Sequence, residues 1–364
     1  MAGKFFSIEM LPARHGDCLW IEYGDDDGTN RILIDGGPVG TFKELSQRIG
    51  QMPAGEKDLE LVVLSHVDAD HVEGLVRLFA EKPLPVAVRS VWFNGWRQMN
   101  PKHKLLGAKQ GEFLSALLVR RAPDAWKADA PPWYVPSQGK LPELQLPGGM
   151  TFTLLSPSAA KLKAMAAEWK KKMEEEGLTP GDLDAAWEAL AKTKKFLPKK
   201  GLLGAAPSLD KLLKKQFAID QAEANGSSIA MLAEYGGKSA LLLADAHPDV
   251  VAQSIKRLCA ARKIKRLQVD VVKVAHHGSK ANTDEGLLNL IDCRNYLIST
   301  NGAQFKHPDK ECLARILKFG KPDKIYFNYR STFTRPWIAK NAQQKHKYSA
   351  VVRPDKDLSL RVEL

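Results

Sequence analysis

Short apolar runs separated by turn residues open the chain. "KFFSIEML", "CLWIEY" and "RILIDGG" are rich in Ile, Leu, Phe and Trp, and "PARHGD" and "GDDDGTN" between them carry turn chemistry. This pattern predicts an antiparallel meander. The period then changes: "FKELSQRIG" predicts a helix, "LELVVLS" a strand, "HVEGLVRLFAEK" a helix with apolar residues at helical spacing, and "VRSVWFN" another strand. A second cycle runs through "SSIAMLAEY", "KSALLLAD", a helix from about Pro248 to Ala261, "VDVVKVAHH", a helix near Glu285 to Ile291, "RNYLIST", a helix near Pro308 to Phe319, and "KIYFNY". Two such cycles predict two mixed sheets packed together with helices on their outer faces, an α/β class.

Residues 158–224 break the pattern. "AAKLKAMAAEWKKKMEEEG", "GDLDAAWEALAKTKK" and "SLDKLLKKQFAIDQAEA" are rich in Ala, Leu, Lys and Glu at amphipathic spacing, with "LTPGD" and "FLPKKGLLGAAPS" as breaks. This reads as a helical insertion, a lid or interaction arm, between a first half at 1–157 and a second half at 225–364. No repeat at a fixed period is visible.

Composition narrows the function classes. The formal net charge is +12, and residues 256–364 hold 23 Lys and Arg against 10 Asp and Glu, so the rest of the chain nearly balances. A basic C-terminal part favours polyanionic partners, nucleic acid among them, although a solvated surface explains it equally well. The first residues lack a signal-peptide core, and no run approaches the ~18 to 20 apolar residues of a membrane span. A soluble cytoplasmic protein is expected, with no membrane partner. Cys18, Cys259, Cys293 and Cys312 are far apart with no CxxC pair, so neither a thiolate metal site nor a disulfide framework is indicated.

The candidate chemistry starts at Leu64–Gly74, "LSHVDADHVEG", where a strand should end and a helix begin. His66, Asp68, Asp70 and His71 fall within one turn. Imidazole and carboxylate are the ligands of divalent ions, and four in one turn suffice for two metals; a polar helix cap is the plainer alternative. Two further strand ends carry the same residue types. "LLLADAH" places Asp245 after an apolar run, and "VDVVKVAHHGS" places His276 and His277 likewise. Together they supply a two-metal site, with Asp245 as the natural bridging carboxylate. His15, His103, His247 and His346 show no partner in the sequence and read as surface residues.

"HVDADH", a strand-end Asp and then "HHGS" resemble the metallo-β-lactamase-fold hydrolases, most closely the metallohydrolase domain of ComEC/Rec2-like competence proteins. The resemblance extends to "GDCLWIEYG", "ILIDGG", "NGSS" at Asn225–Ser228 and "LISTNGAQFKHP", which holds Ser299, Asn301 and His307. It covers most of the chain outside the insertion.

It implies an αββα four-layer sandwich with metals at one edge between the sheets. It further implies His66 and Asp68 on one metal, Asp70 and His71 on the other, and Asp245 between them. One histidine of the "HHGS" pair completes the second site. His277 is the favoured ligand and His276 a neighbouring or phosphate-contacting group, with the reverse assignment open. Many members of the superfamily have histidine where Asp68 and Asn225 stand, so the resemblance implies Asn225 as a weaker metal ligand through its amide oxygen. That substitution makes the first site less zinc-selective, so two zinc ions are expected, with manganese as the alternative. Asp35 is a candidate to orient a ligand histidine, or else a turn residue. Ser228, Ser299 and His307 are candidates for substrate contact or support.

The expected function is metal-dependent hydrolysis of a phosphodiester, nucleic acid first, by water activated between two metals. Asp70, His276 and Lys273 are the candidate catalytic groups, the last two offsetting charge on the phosphorus oxygens. Lys273 reads equally as a strand residue whose amine reaches solvent. Two alternatives remain: hydrolysis of a small phosphodiester or ester, and a regulatory or binding module whose metals are structural. Competence proteins of the resembling family carry membrane channels and this chain has none, so DNA uptake is not inherited. "IYFNYRSTFTRPWIAK" offers aromatics that could stack bases or simply fill a core.

Overall fold

The computed structural model describes residues 3–99, 109–175, 179, 181–192 and 217–364. Expectations for His103 and for all of "FLPKKGLLGAAPS" and "SLDKLLKKQ" lie outside them. Fourteen strands build two sheets: β1 Phe5–Met10, β2 Leu19–Asp25, β3 Gly28–Ile34, β4 Leu61–Val63, β5 Val91–Trp92, β6 Glu143–Gln145, β7 Thr151–Ser156, β8 Ala230–Tyr235, β9 Lys238–Leu242, β10 Val271–Lys273, β11 Asn295–Ile298, β12 Lys324–Phe327, β13 Ser349–Val352 and β14 Leu360–Glu363. The first sheet has the order β14-β1-β2-β3-β4-β5, and the second runs from β13 down to β6. β6 and β7 are not in the pattern read from the sequence; both are short strands around a Pro-Gly-Gly turn.

Each sheet is half antiparallel and half parallel. The β1–β2–β3 meander is antiparallel with β14 added at its edge, and β3, β4 and β5 run parallel. In the second sheet β6 to β9 are antiparallel and β9 to β13 parallel. Strand alternation explains why both faces of a sheet are covered. Leu19, Ile21 and Tyr23 of β2, Ile32 and Ile34 of β3, and Leu61 and Val63 of β4 enter the core between the sheets, where they meet Phe152, Leu154 and Met231. Trp20, Leu33 and Val62 point the other way, onto helices α1 Phe42–Gly50 and α2 Ala69–Ala80 through Leu45, Ile49, Leu75 and Phe79. Helix α5 Pro248–Arg262 covers the far face of the second sheet with Ile255 and Leu258. The result is an αββα layered sandwich.

Two helices between them, α3 Lys109–Arg121 and α4 Ala159–Glu175, add to the outer layer beside the first sheet. Trp169 of α4 is buried against Phe93 and Trp96, with ring centroids 6.4 Å apart in each case, and joins the same core as Leu114 of α3. The start of the expected insertion is therefore anchored in the sandwich by a buried aromatic cluster.

Parallel strands send their carboxyl ends to one edge of each sheet, the place where open α/β sheets collect ligand chemistry. Close backbone approach holds this edge together. A Cβ on Gly74 of α2 would stand 1.9 Å from the Gly36 carbonyl oxygen, and one on Gly16 would stand 1.8 Å from the Asp70 carbonyl oxygen. Only glycine lets the loops after β1 and β3 lie this close to α2.

Glu112 on α3 is 1% exposed; one carboxylate oxygen accepts the Gly181 amide at 3.0 Å and the other has no partner. Burial pushes its pKa up to about 7, against smaller lowering by the Gly181 hydrogen bond and Arg97. The folded chain thus keeps a proton that the unfolded chain releases between the ordinary value of 4.5 and about 7. The contribution is complete below pH 4.5 and is lost as the pH rises through 7. Glu112→Gln is expected to stabilise the protein by up to about 3 kcal/mol at pH 8 and by little near pH 4.5, read from thermal midpoints at both pH values. Equal shifts at the two pH values would show that Glu112 is ionised in the fold.

Candidate metal centre

Four loops meet at the shared edge. β4 leads into Ser65 and His66, and α2 starts at Ala69 with Asp70 and His71 in its first turn. β9 leads to Asp245, and β10 leads to a tight turn in which His276 and His277 both have positive φ, 46° and 54°. β3 leads to Asp35, at φ 60°. Such backbone is uncommon outside glycine and is held here by the packed edge.

The four imidazoles share one arrangement. His66, His71, His276 and His277 each place Nε2 within 3.5–3.9 Å of one oxygen, Asp245 Oδ2. His71 Nε2 and His277 Nε2 are 3.3 Å apart. Asp68 and Asp70 add carboxylate oxygens 3.7 Å from His66 Nε2 and 3.6 Å from His277 Nε2. Donor atoms about 2.0–2.2 Å from a common ion stand about 3.3–3.6 Å apart in a tetrahedron, so these separations fit ligands closing on ions between them.

Each imidazole is held by its other nitrogen. His71 Nδ1–H donates to Asp35 Oδ2 at 2.7 Å, and Ser65 donates to the same carboxylate through both its amide and its hydroxyl. His66 Nδ1 meets the Ser65 hydroxyl at 3.1 Å, so one carboxylate orients two rings. His277 Nδ1 donates to the Ser299 carbonyl at 2.9 Å. His276 Nδ1 faces Asn282 Oδ1 at 2.9 Å and Asp220 Oδ2 at 3.1 Å. Acceptors at every Nδ1 assign the proton there and leave each Nε2 lone pair facing Asp245.

Buried polar atoms without partners mark the same place: His66 Nε2, Asp245 Oδ1 and Asp17 Oδ1. An unpaired buried acceptor is costly, and three among these histidines fit a divalent cation as their partner. Charge agrees. Burial works against ionisation of Asp245, but His277, His276 and His71 hold its pKa well below the carboxylate range. Burial likewise opposes a charge on His71, but Asp245, Asp35 and Asp70 raise its pKa well above the ordinary value. His276 rises to about 9 against burial, through Asp245 and Asp220. The cluster therefore draws in positive charge, and an ion binding there would displace protons.

Several residues behave differently from expectation. Lys273 neither reaches solvent nor faces the opening: it is fully buried, with its ammonium 2.5 Å from Asp17 Oδ2 and donating to the Val274 carbonyl. The Ser299 hydroxyl is occupied, donating to the Gly16 carbonyl and accepting from Asn328, so the residue serves through its own carbonyl on His277. Asn225 turns its amide N–H to Asp220 at 2.8 Å and so supports His276. Ser228 is buried with its hydroxyl unpartnered. His307 lies beside the centre, its ring 5.3 Å from that of His276. His247, read as a surface residue, is buried and faces the Ala222 carbonyl at 3.0 Å.

Sequence reading missed four members of the site. Asp17 joins His71, Asp245 and His277 in one buried group whose donor atoms lie within 4.8 Å of one another. Its signal was its place in "HGDC", an acid directly before a buried strand. His15, half-buried, feels Asp70, His277 and His71, and burial is the larger cause of its lowered pKa. Asp220 and Asn282 carry no motif and appear only when the loops close around His276.

Residues 11–134 match the metallo-beta-lactamase superfamily model. That segment, about a third of the chain, resembles the superfamily. ComE operon protein 3 of Bacillus subtilis (strain 168) is 27% identical over 122 residues, which are 31% of this chain and 15% of that protein's length. Among solved structures the chain resembles the metallo-beta-lactamase fold protein YhfI from Bacillus subtilis, at 11% identity and a TM-score of 0.40 over 99% of this chain and 100% of that one. It also resembles Zn(2+)-bound PqqB from Methylobacterium extorquens, at 12% identity and a TM-score of 0.41 over 99% and 100%. Asp17, His71, Asp245 and His277 form a donor group that could hold a metal ion, and no helix among the described residues is long and apolar enough to cross a membrane. Cys18, Cys259, Cys293 and Cys312 are free and buried.

Asp35→Asn tests the supporting layer. Asparagine tolerates the left-handed backbone at this position but cannot accept from His71 and Ser65 as a carboxylate does. Zinc affinity measured by competition with a chelating dye is expected to fall by about 10- to 100-fold with the thermal midpoint of the metal-free protein little changed. An unchanged affinity would show that Asp35 is only a turn residue.

Proposed function

We propose that this protein is a metal-dependent phosphodiesterase that acts on nucleic acid. The observation that carries the reading is the set of four imidazole Nε2 atoms around Asp245 Oδ2. In this reading His66, Asp68 and His276 hold one ion, Asp70, His71 and His277 hold the other, and Asp245 lies between them. His276 takes the corner that Asn225 would otherwise fill, because its Nε2 faces Asp245 while Asn225 supports it through Asp220. Mixed imidazole and carboxylate donors suit zinc first and manganese second.

Held by these residues, two divalent ions would supply an activated water and offset charge on phosphorus oxygens. The chain's own residues do the rest. Asp35 and Ser65 fix His66 and His71, Ser299 fixes His277, and Asp220 with Asn282 fixes His276, so the donors are preorganised. Lys273 balances the buried charge of Asp17 beside His277 rather than touching substrate. Asp70 is a donor beside His277 whose charge also reaches His15. His307 borders the centre beside His276 as the candidate proton donor to a leaving oxygen. Nucleic acid is favoured as the substrate by the basic C-terminal part, whose strand ends form this same edge.

The test is cleavage of single-stranded and duplex DNA, RNA and a chromogenic bis-aryl phosphodiester by protein loaded with zinc or manganese. Cleavage of nucleic acid is expected, falling by about 100-fold or more in Asp70→Ala and His277→Ala. Cleavage of the small diester alone would point to a small substrate. Tight metal binding with no hydrolysis of any member would overturn the enzyme and leave a binding module.

A further inference from the structure

Of the aromatics in "IYFNYRSTFTRPWIAK", which could stack bases or fill a core, Phe327 and Trp337 are buried, Tyr326 and Phe333 are half-buried, and Tyr329 is tied through its hydroxyl to the Arg14 amide. A different ring stands free. Phe305, in the loop after β11, is 45% exposed and is the most exposed large apolar side chain among the described residues. Its ring stacks on His307, with centroids 6.2 Å apart and planes inclined by 28°, and meets His15 edge-on at 5.8 Å. His307 in turn meets His276 edge-on at 5.3 Å. The Phe305 ring is thus one imidazole away from the metal centre along each of two paths, since His15 lies in the field of Asp70, His71 and His277.

An apolar ring left open beside a polar, cation-seeking centre calls for a flat apolar ligand face. The surrounding loops add the charge that would bring one. Lys280, Lys306, Arg330 and Lys356 are exposed on the loops leaving β10, β11, β12 and β13, and Lys310 opens the helix after β11, against Asp284, Asp309, Asp355 and Asp357 on the same loops. A flat ring joined to phosphates is a nucleotide unit, and a base can lie on a protein ring only when it is not stacked within a duplex.

We propose that Phe305 is the platform on which one unpaired nucleobase stacks, setting the neighbouring phosphodiester over the metal centre, so that the substrate is a single strand. This rests on the phosphodiesterase reading above and adds a base-binding position to it. Phe305 is a positioning residue: the ring touches the base, not the reacting phosphorus. Because every base has an apolar face, it selects single strands without selecting sequence.

The experiment is fluorescence anisotropy of the full chain with two phosphorothioate-linked 12-mers that resist cleavage, one with normal bases and one abasic throughout. The wild type is expected to bind the base-bearing strand about 10-fold or more tightly than the abasic one. Phe305→Ala should remove that preference while binding the abasic strand as the wild type does, and Phe305→Trp should restore it. A Phe305→Ala protein that keeps the full preference overturns the platform and leaves the phosphodiesterase reading intact. Failure of the wild type to bind either strand overturns the nucleic-acid reading itself. Restoration by Trp separates stacking from a structural role, because the ring makes no core contact that Ala would leave empty.

Discussion

Asp245 Oδ2 lies within 3.5–3.9 Å of the Nε2 atoms of four histidines that come from two separate segments of the chain, and the rest of the edge is arranged to allow it. Four imidazole lone pairs and a buried carboxylate do not gather without a positive charge to share. Proton or cation must sit among them, and each ring is braced so that its inner nitrogen keeps its direction. The bracing reaches into both sheets: Asp35 follows β3, Ser65 follows β4, and the Ser299 carbonyl follows β11. The two sheets are thereby tied at one edge by polar contacts, while an apolar core holds them face to face elsewhere.

This constraint explains features that otherwise look wasteful. A fully buried lysine is rare, yet Lys273 sits at the end of β10 because Asp17 is equally buried beside His277 and needs a countercharge. Burial alone would raise the Asp17 pKa, but Lys273 and His277 keep it below the ordinary carboxylate value. His276 and His277 occupy left-handed backbone because two adjacent residues must aim at one focus from the same turn, a geometry that an extended strand end denies them by alternation. Gly16, Gly36 and Gly74 have no room for a side chain because the loops they join must bring Asp70 and His71 up against Asp35.

Much of the layered fold was readable in the sequence because its strands are short apolar runs and its parallel segments alternate with helices. The strand ends bearing His66 to His71, Asp245 and the "HHGS" pair were readable for the same reason: a polar cluster directly after a buried run has few bland explanations. What escaped was contact between residues distant in sequence. Asp17 and Lys273 are 256 positions apart, and nothing local in either predicts their pairing. Asp220 stands at the edge of a segment whose composition suggests only a helix, so its bond to His276 was invisible. Ser299 was readable as near the site, but not that its carbonyl rather than its hydroxyl does the holding, since residue type reveals side chains and not backbone direction. Phe305 in "NGAQFKHP" carries no signal in the sequence, because exposure beside two histidines is a property of the assembled edge.

The proposed site holds two cations, one on either side of Asp245. The direct measurement is anomalous diffraction at the zinc or manganese edge from crystals grown with that metal. Two peaks about 3.5–4 Å apart are expected flanking Asp245 Oδ2, one beside His66 and His276 and the other beside His71 and His277. No peak at this edge, or a single ion bound without Asp245, would contradict it.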